Sequence, residues 1–341
     1  MGSHTKRLGS AALIFLLVMG VNSLWAAAPL PRLVALGTNP AGSAYYGVAS
    51  GLAKILSEQS GIQVRVQPYS GSSTYIPLLN TGELELGLNN TSDALHAYRG
   101  EKPFHPAPNL RMLSVIFPLA VGIVVRNNSD FKRLEDVRGK RVTSRYTAQL
   151  AVFYNVGSIL ASAGLDWKDI VEVPVPGVNE GIQALIEGRA DASLHAVGSA
   201  KLEEANASIP GGIRFLSIDS SPAGVKRMQS VMAGTFAFPL KAGSVTGAVT
   251  DVAVEGYDVY LTAGKSLSDA VAYQITKTLW EQEEATQKAN PNLRFFGRDK
   301  MVKTIATIPY HSGAIKFFRE KGVWSAEMEK VQAEIERAAA K

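Results

Sequence analysis

A pattern of two glycines and one acidic residue occurs twice in this chain, at a constant offset of 106 residues. The first set is Gly71, Gly82 and Glu85, and the second set is Gly177, Gly188 and Asp191. Each set lies in a segment, 62–90 or 169–197, that runs from an alternating apolar stretch through a turn and a helical stretch to a second strand. This order is typical of a β-α-β crossover, which requires a parallel sheet covered by helices. Two such units predict two similar α/β lobes.

A further strand and helix precede each crossover, in residues 32–61 and 139–164. Apolar residues recur at helical spacing in both stretches, and a glycine follows each helix where left-handed caps are common. Two long apolar stretches, 112–126 and 252–263, are predicted to pair and to carry the chain between the lobes.

The predicted fold is therefore α/β, with two similar lobes. Lobe 1 is predicted to comprise residues 29–119 and 251–341, and lobe 2 residues 120–250. The chain has 341 residues, of which 46% are hydrophobic, so each lobe has enough apolar material for a core of its own.

The first 28 residues have the composition of a secretory signal peptide. Lys6 and Arg7 precede an apolar run over 11–21 and a small-residue segment that ends at Ala28. An N-terminal membrane anchor is the alternative, although the run is short for crossing a bilayer. The sequence predicts a periplasmic protein without stable membrane insertion. The absence of cysteine excludes disulfides and a lipidated cysteine.

The formal net charge is +5 at pH 7, and acidic residues are interspersed with basic ones along helical stretches such as 281–288. Mixed faces of this kind are typical of solvated helices. A nucleic-acid site usually shows basic residues clustered on one face, so no nucleic-acid partner is predicted.

Motifs for catalysis are weak throughout the sequence. The five histidines do not fall at metal-ligand spacing, and no Gly-x-Ser-x-Gly elbow occurs. Glu85 and Asp191 resemble a carboxylate pair, but their repeated position before a strand suits turn and capping roles. The chain is predicted not to be an enzyme and to need no metal or cofactor, with an exported hydrolase as the remote alternative.

Ligands of open parallel sheets bind beyond the carboxyl ends of the strands, where loops lead into helix N-termini. In lobe 1 the predicted contacts are Thr38, Gly42, Ser43, Tyr45, Tyr46, Gly71, Ser72, Ser73, Asn89, Asn90 and Thr91. The helix N-terminus after residue 43 favours an anionic group. Ser43 can instead be only a helix cap, and one of the two tyrosines is expected to pack in the core.

In lobe 2 the predicted contacts are Arg145, Tyr146, Thr147 and His195. Arg145 opens a helix and could hold a carboxylate in a bidentate pair, or it could face water. His195 is the repeat partner of Asn89, and its ring is either a ligand contact or a buried structural group. These loops predict a small polar ligand that carries at least one carboxylate or similar anionic group.

Four segments resemble the TAXI-type solute-binding proteins of tripartite ATP-independent periplasmic (TRAP) transporters. They are GTNPAGSAYYGVASGLAKIL, GSSTYIPLLNTGELELGLNN, EGIQALIEGRADA and IPYHSGAIKFFREKGVW. The order and spacing of the four carry the resemblance, since no single segment is decisive. Apart from the predicted signal peptide, the resemblance covers essentially the whole chain.

The resemblance implies a type II periplasmic-binding-protein fold, with two α/β lobes joined by a hinge and a ligand cleft between them that closes on a small organic anion or an amino acid. It also implies delivery of the ligand to an ion-driven TRAP membrane permease. Glutamate, glutamine and 2-oxoglutarate are familiar ligands of the family. Two stretches depart from the family pattern, 144–147 in place of Gly-Ser-Gly-Thr, and 193–195. A binding protein of an ABC importer, or a sensing module of a histidine kinase, remains the alternative, since the same fold serves all three.

Overall fold

The computed structural model describes residues 1–2 and 30–339. Apart from residues 1 and 2, the predicted signal peptide lies outside the described residues. None of the described helices combines the length and the apolar character needed to cross a membrane.

The first half of the fold is built from three strands and three helices that alternate along the chain. They are β1 (Leu33–Thr38), α1 (Ala44–Gln59), β2 (Gln63–Pro68), α2 (Ser72–Thr81), β3 (Leu86–Asn90) and α3 (Thr91–Arg99). Strand β1 lies between β2 and β3 and is parallel to both. The predicted first crossover is therefore confirmed, and the helices α1, α2 and α3 all begin at the carboxyl end of a strand.

The second half repeats this arrangement after a long connecting strand. The elements are β4 (Leu110–Arg126), β5 (Arg141–Arg145), α4 (Leu150–Ser162), β6 (Val171–Val175), α5 (Val178–Ile186), β7 (Ala192–Ala196) and α6 (Ala200–Ser208). Strand β5 lies between β6 and β7 and is parallel to both. The order β6-β5-β7 matches β2-β1-β3, so the repeat predicted from the glycines is a repeat of topology.

The remaining elements complete the second half and return the chain to the first. They are β8 (Ile213–Phe215), α7 (Pro222–Val231), β9 (Phe236–Leu240), β10 (Val252–Gly264), α8 (Asp269–Glu281), α9 (Glu283–Ala289), α10 (Ser312–Glu320) and α11 (Ala326–Ala339). Helices α8 and α9 contact α1, and α10 contacts α8, so the C-terminal part packs against the first half.

Strands β4 and β10 join the two halves, as the sequence predicted. They pair antiparallel from Leu110–Gly264 to Val121–Glu255. Beyond that stretch β4 pairs with β7, while the other end of β10 pairs with β3. In both halves an antiparallel strand therefore follows the third parallel strand. The topology confirms the predicted type II periplasmic-binding-protein fold. We keep the lobe boundaries after residues 119 and 250 as a proposal.

The acidic residues of the repeat have the same structural role in both halves. Glu85 Oε2 accepts a hydrogen bond from the backbone N–H of Ala35 at 2.8 Å, and Asp191 Oδ2 accepts one from Arg141 N–H at 2.9 Å. Ala35 and Arg141 are themselves 106 residues apart and lie in the central strands β1 and β5. The two carboxylates are thus far from one another and fix the central strand of each half.

We predict that Glu85→Ala lowers the free energy of unfolding by about 1–2 kcal/mol, because a partly buried backbone N–H loses its charged acceptor. Urea denaturation followed by circular dichroism measures the change. Glu83→Ala, a neighbouring exposed position, is the control and should change stability by less than about 0.5 kcal/mol. Equal effects of the two substitutions would contradict the role given to Glu85.

Candidate functional site

The loops at the carboxyl ends of the parallel strands face each other across the two halves. We call this surface the seam. It is formed by residues 38–43, 69–73 and 89–93 of the first half and 144–150, 176–179 and 195–201 of the second. Six helix N-termini, those of α1 to α6, begin in these loops. Their unpaired N–H groups and aligned dipoles favour a negatively charged group in the seam.

Four hydrogen bonds cross the seam directly. Asn179 Nδ2 donates to Ala41 O at 3.0 Å, Lys201 N–H to Gly42 O at 3.2 Å, Gln149 Nε2 to Ser70 O at 3.2 Å, and Leu150 N–H to Ser73 Oγ at 3.2 Å. They lie at two separate places, one around the loop after β1 and one around the loop after β2. The structure is therefore the closed arrangement of the two halves.

At Gly71 the backbone of the first half lies against residues 148 and 149 of the second half. A Cβ atom on this residue would lie 1.9 Å from Ala148 O and 2.5 Å from Gln149 Cγ. The backbone at Gly71 is extended, with φ 173°, so glycine is required here by the space available and not by the dihedral angle. Its repeat partner Gly177 would meet only the ends of flexible side chains, the nearest at 2.9 Å.

Ser43 and Gln149 occupy matching positions in the two halves. Ser43 is the N-cap of α1 and accepts a hydrogen bond from Tyr46 N–H at 3.2 Å, so the capping role left open by the sequence is present. Gln149, 106 residues later, is the N-cap of α4 and does not cap its own helix. Its Oε1 instead accepts from Val178 N–H at 2.9 Å, while its amide group reaches Ser70 across the seam.

Ser72 and Ser73, which were predicted in the loop after β2, lie at the seam. Ser73 accepts the bond from Leu150, and Thr147 lies beside it at the edge of a cavity of about 320 Å³. Ser72 is buried, and its hydroxyl donates to the carboxylate of Asp93. A second cavity of about 380 Å³ lies at the other side of the seam, between Gly42 and Lys201. Both have the size of small-molecule sites.

Arg145 and Tyr146 belong to a seam loop, but their side chains do not point into the seam. Both residues have left-handed backbones, with φ 70° and 45°, which is uncommon for residues other than glycine. The turn directs Arg145 outward, where its guanidinium pairs with Glu172 at 2.7 Å and stays exposed. It directs the ring of Tyr146 inward, where its hydroxyl bonds Thr143 inside the second half. The predicted bidentate pair between Arg145 and a ligand carboxylate has no support in this geometry.

The other predicted residues of the first half are buried polar groups at strand ends. Thr38 Oγ1 and Thr91 Oγ1 have no hydrogen-bond partner within residues 30–339. Asn90 caps α3 by accepting from Asp93 N–H at 2.7 Å. Asn89 donates to Thr262 within its own half. The Thr262 hydroxyl donates to the backbone carbonyl of Gly87, so it can only accept from the NH₂ group of Asn89. This fixes the orientation of the Asn89 amide and leaves Asn89 Oδ1 without a partner among the described groups.

Tyr45 and Tyr46 diverge as the sequence predicted. Tyr45 is buried, and burial raises the pKa of its hydroxyl, with the hydroxyl of Tyr257 and the carboxyl of Asp93 nearby. Tyr46 is half-buried at the surface of α1. Tyr45 therefore has a polar tip in the interior next to the seam.

His195 is buried at the end of β7, and burial lowers its pKa to about 4. Its Nδ1 bonds the hydroxyl of Ser199 at 2.8 Å, and its Nε2 lies 3.3 Å from Asn179 Oδ1. Since the other end of the Asn179 amide donates to Ala41, His195 supports a seam contact from behind. The ring is neutral at pH 7 and acts on the seam through Asn179.

Sequence reasoning missed Gln149, Asn179 and the buried acids Asp93 and Glu255. A signal for the first two was present, because Gln149 and Asn179 are the repeat partners of Ser43 and Ser73. Glu255 is buried under α4, where Asn155 and Ser158 donate to its two oxygens. Burial outweighs these hydrogen bonds and raises its pKa to about 8. No signal in the sequence marks an acid inside a crossing strand as buried.

Residues 36–322 match the NMT1-like family, which covers most of the chain. The chain belongs to the NMT1-like family. The TAXI assignment made from the four segments stays a prediction. No group of three or more metal-ligating side chains occurs in the part of this family member that the structure describes.

The solved structures that match this NMT1-like chain have low sequence identity to it. The alkanesulfonate-binding protein SsuA from Xanthomonas axonopodis pv. citri, bound to MOPS, has 15% identity and a TM-score of 0.46, over 90% of this chain and 85% of that one. An ancestral arginine-binding protein bound to glutamine has 18% identity and a TM-score of 0.49, over 79% and 100%. The GluR0 ligand-binding core from Nostoc punctiforme, in complex with L-glutamate, has 20% identity and a TM-score of 0.45, over 76% of this chain and 97% of that one.

We predict that Gly71→Ala opens the seam without unfolding either half, because the added methyl meets backbone atoms of residue 148. The amide of Leu150, which donates only across the seam, should then exchange its hydrogen about tenfold faster. Amide exchange measured by NMR reports this, with Ile159 inside α4 as the internal reference. Gly177→Ala is the matched control and should leave Leu150 protected. Unchanged protection in Gly71→Ala would contradict the closed seam.

We predict that Glu255→Gln gains stability relative to the parent chain as the pH rises. The folded state keeps Glu255 protonated up to a pKa of about 8, whereas the unfolded chain ionises near 4.5, so the parent loses stability between these values. Glutamine cannot ionise and avoids this loss. Urea unfolding of both proteins at pH 5 and pH 8 checks the sign. A constant stability difference at the two pH values would contradict it.

Proposed function

We propose that this protein is a non-catalytic solute-binding protein, which captures a small polar solute by closing its two halves. The observation that carries the proposal is the set of hydrogen bonds across the seam at two separate places. Polar loops placed at the ends of parallel strands, with helix N-termini pointing toward them, are the arrangement by which this fold class binds ligands. The seam joins such loops from both halves.

Closure and binding are linked in this proposal through the buried polar groups. Thr38, Thr91 and Tyr45 have polar atoms that lack partners among residues 30–339 and lie in or next to the seam. A buried polar group without a partner costs about 1–3 kcal/mol, so a solute that supplies partners stabilises the closed form. The solute then shifts the equilibrium between open and closed forms by the contacts made only when the seam is shut.

The solute proposed from the sequence is a small organic anion or an amino acid. The convergence of six helix N-termini on the seam supports an anionic group in it. Arg145 does not support it, because its guanidinium is paired with Glu172. The anionic group would therefore be held by backbone N–H groups and neutral side chains.

The proposed destination of the solute is a TRAP membrane permease. Support for it comes from the four TAXI-like segments in the sequence. Vesicles that contain the permease test it, because uptake of the solute should need this protein and an ion gradient, but not ATP. A requirement for ATP would favour an ABC importer, and stimulation of a kinase without uptake would favour a sensing module.

We predict that at least one small acid or amino acid raises the melting temperature of the protein lacking residues 1–28, since a ligand that binds only the folded state stabilises it. A thermal-shift screen of amino acids, oxo acids, dicarboxylates and sulfonates measures this. Gly71→Ala should lose the shift because its seam cannot close. Arg145→Ala should keep it. If Arg145→Ala loses the shift and Gly71→Ala keeps it, the assignment of the site is wrong.

A further inference from the structure

Asp93 is a buried carboxyl group at the point where three helix N-termini meet. It lies in the first turn of α3, and its Oδ2 accepts a hydrogen bond from the hydroxyl of Ser72 in the first turn of α2. The backbone N–H of Ala151, in the first turn of α4, approaches the carboxyl from the other side of the seam. Groups from both halves of the protein therefore approach the Asp93 carboxyl.

The second oxygen of this carboxyl is unpartnered. Asp93 has no exposed surface, and its Oδ1 has no hydrogen-bond partner within residues 30–339. The hydroxyl of Tyr45 is also buried and lies near the same carboxyl, with the hydroxyl of Tyr257 as a neighbour. An unpartnered carboxyl oxygen on α3 and a hydroxyl on α1 that can still accept a hydrogen bond thus lie at one place next to the seam.

No lysine or arginine of the described chain compensates the charge of Asp93 by contact. Lys201 binds Glu204 and Gln183, and Arg145 binds Glu172. The titratable groups that face Asp93 are the tyrosines 45, 75 and 257 and the partly exposed His96. Burial accordingly raises the pKa of Asp93 despite its hydrogen bonds.

The chemistry of this corner selects among ligands. An ionised carboxylate without a partner in the interior is costly, and a second anion placed beside it would be repelled. A protonated amino group removes both penalties, because it is a cation with three N–H donors. The helix N-termini of the rest of the seam still favour an anionic group on the same molecule.

We propose that Asp93 binds a protonated amino group of the solute, and that the solute is therefore a zwitterionic amino acid and not a simple organic acid. Oδ1 of Asp93 accepts from the ammonium group, with the hydroxyl of Tyr45 as a second acceptor. The inference rests on the proposed solute-binding function and narrows its ligand class.

Glu255 provides a matched control for Asp93. It is equally buried and also acidic, but both of its oxygens are hydrogen-bonded to side chains of α4. Asp93→Asn and Glu255→Gln both replace a carboxyl by an amide of the same shape. Only the first removes a group with a free oxygen beside the seam.

Isothermal calorimetry on the three proteins, with paired ligands, tests the inference. The pairs are L-glutamate with glutarate and 2-oxoglutarate, L-glutamine with glutaramate, and L-alanine with propionate. At least one amino acid is expected to bind the parent protein about tenfold or more tighter than its partner without the amino group. Asp93→Asn should weaken that amino acid about tenfold or more, and Glu255→Gln by less than about twofold.

The possible failures separate the inference from the function on which it rests. If acids without an amino group bind as tightly as amino acids, or if Asp93→Asn keeps full affinity, the role of Asp93 is wrong and solute binding stands. If no member of any pair binds the folded parent protein, both the inference and the proposed function are overturned. The paired ligands on the parent protein decide the question even if Asp93→Asn does not fold.

Discussion

The antiparallel pairing of β4 with β10 is the constraint on which the rest of this structure depends. Each strand belongs to both halves, so the central layer of the protein passes from one half to the other without a break. The two sets of parallel strands are thereby held with their carboxyl ends toward each other. In the closure that we propose, bending of these two strands opens or closes the seam.

The polar character of the seam follows from this geometry. Loops at strand ends must satisfy helix N-terminal N–H groups, and residues such as Ser43, Asn90 and Ser199 do so by capping. When the halves close, the same loops become interior, and every polar atom that lacks a partner then carries a cost. A small polar solute is the natural complement of such a surface, because it can satisfy atoms that the two halves cannot satisfy for each other.

The repeat in the sequence predicted two similar α/β lobes because topology depends on local patterns, whereas the type II fold was implied by the family resemblance. The glycines at 82 and 188 follow helices. Glu85 and Asp191, for which turn and capping roles were expected, instead accept hydrogen bonds from the central strands. The same offset, applied to the loops, also identifies Gln149 and Asn179. Within the seam, the sequence identified the loop that contains Ser73, but not Leu150, its partner from the other half.

Sequence reasoning could not reach the features that depend on packing between distant segments. The left-handed turn that carries Arg145 outward has no glycine or asparagine to announce it. The burial of Asp93 and Glu255 depends on α4, a helix far away in the sequence from both of them. Charge in the sequence therefore pointed to the exposed Arg145, whereas the acidic residues Asp93 and Glu255 are buried in the interior.

The most direct test of the account is the distance between the two halves with and without solute. The chain has no cysteine, so Lys54→Cys in α1 and Ala207→Cys in α6 place one spin label on each half at exposed positions. Pulsed electron paramagnetic resonance should show a longer and broader distribution of label-to-label distances for the free protein. With saturating solute the distribution should be shorter and narrower. An identical distribution in both conditions would contradict closure of the seam as the basis of binding.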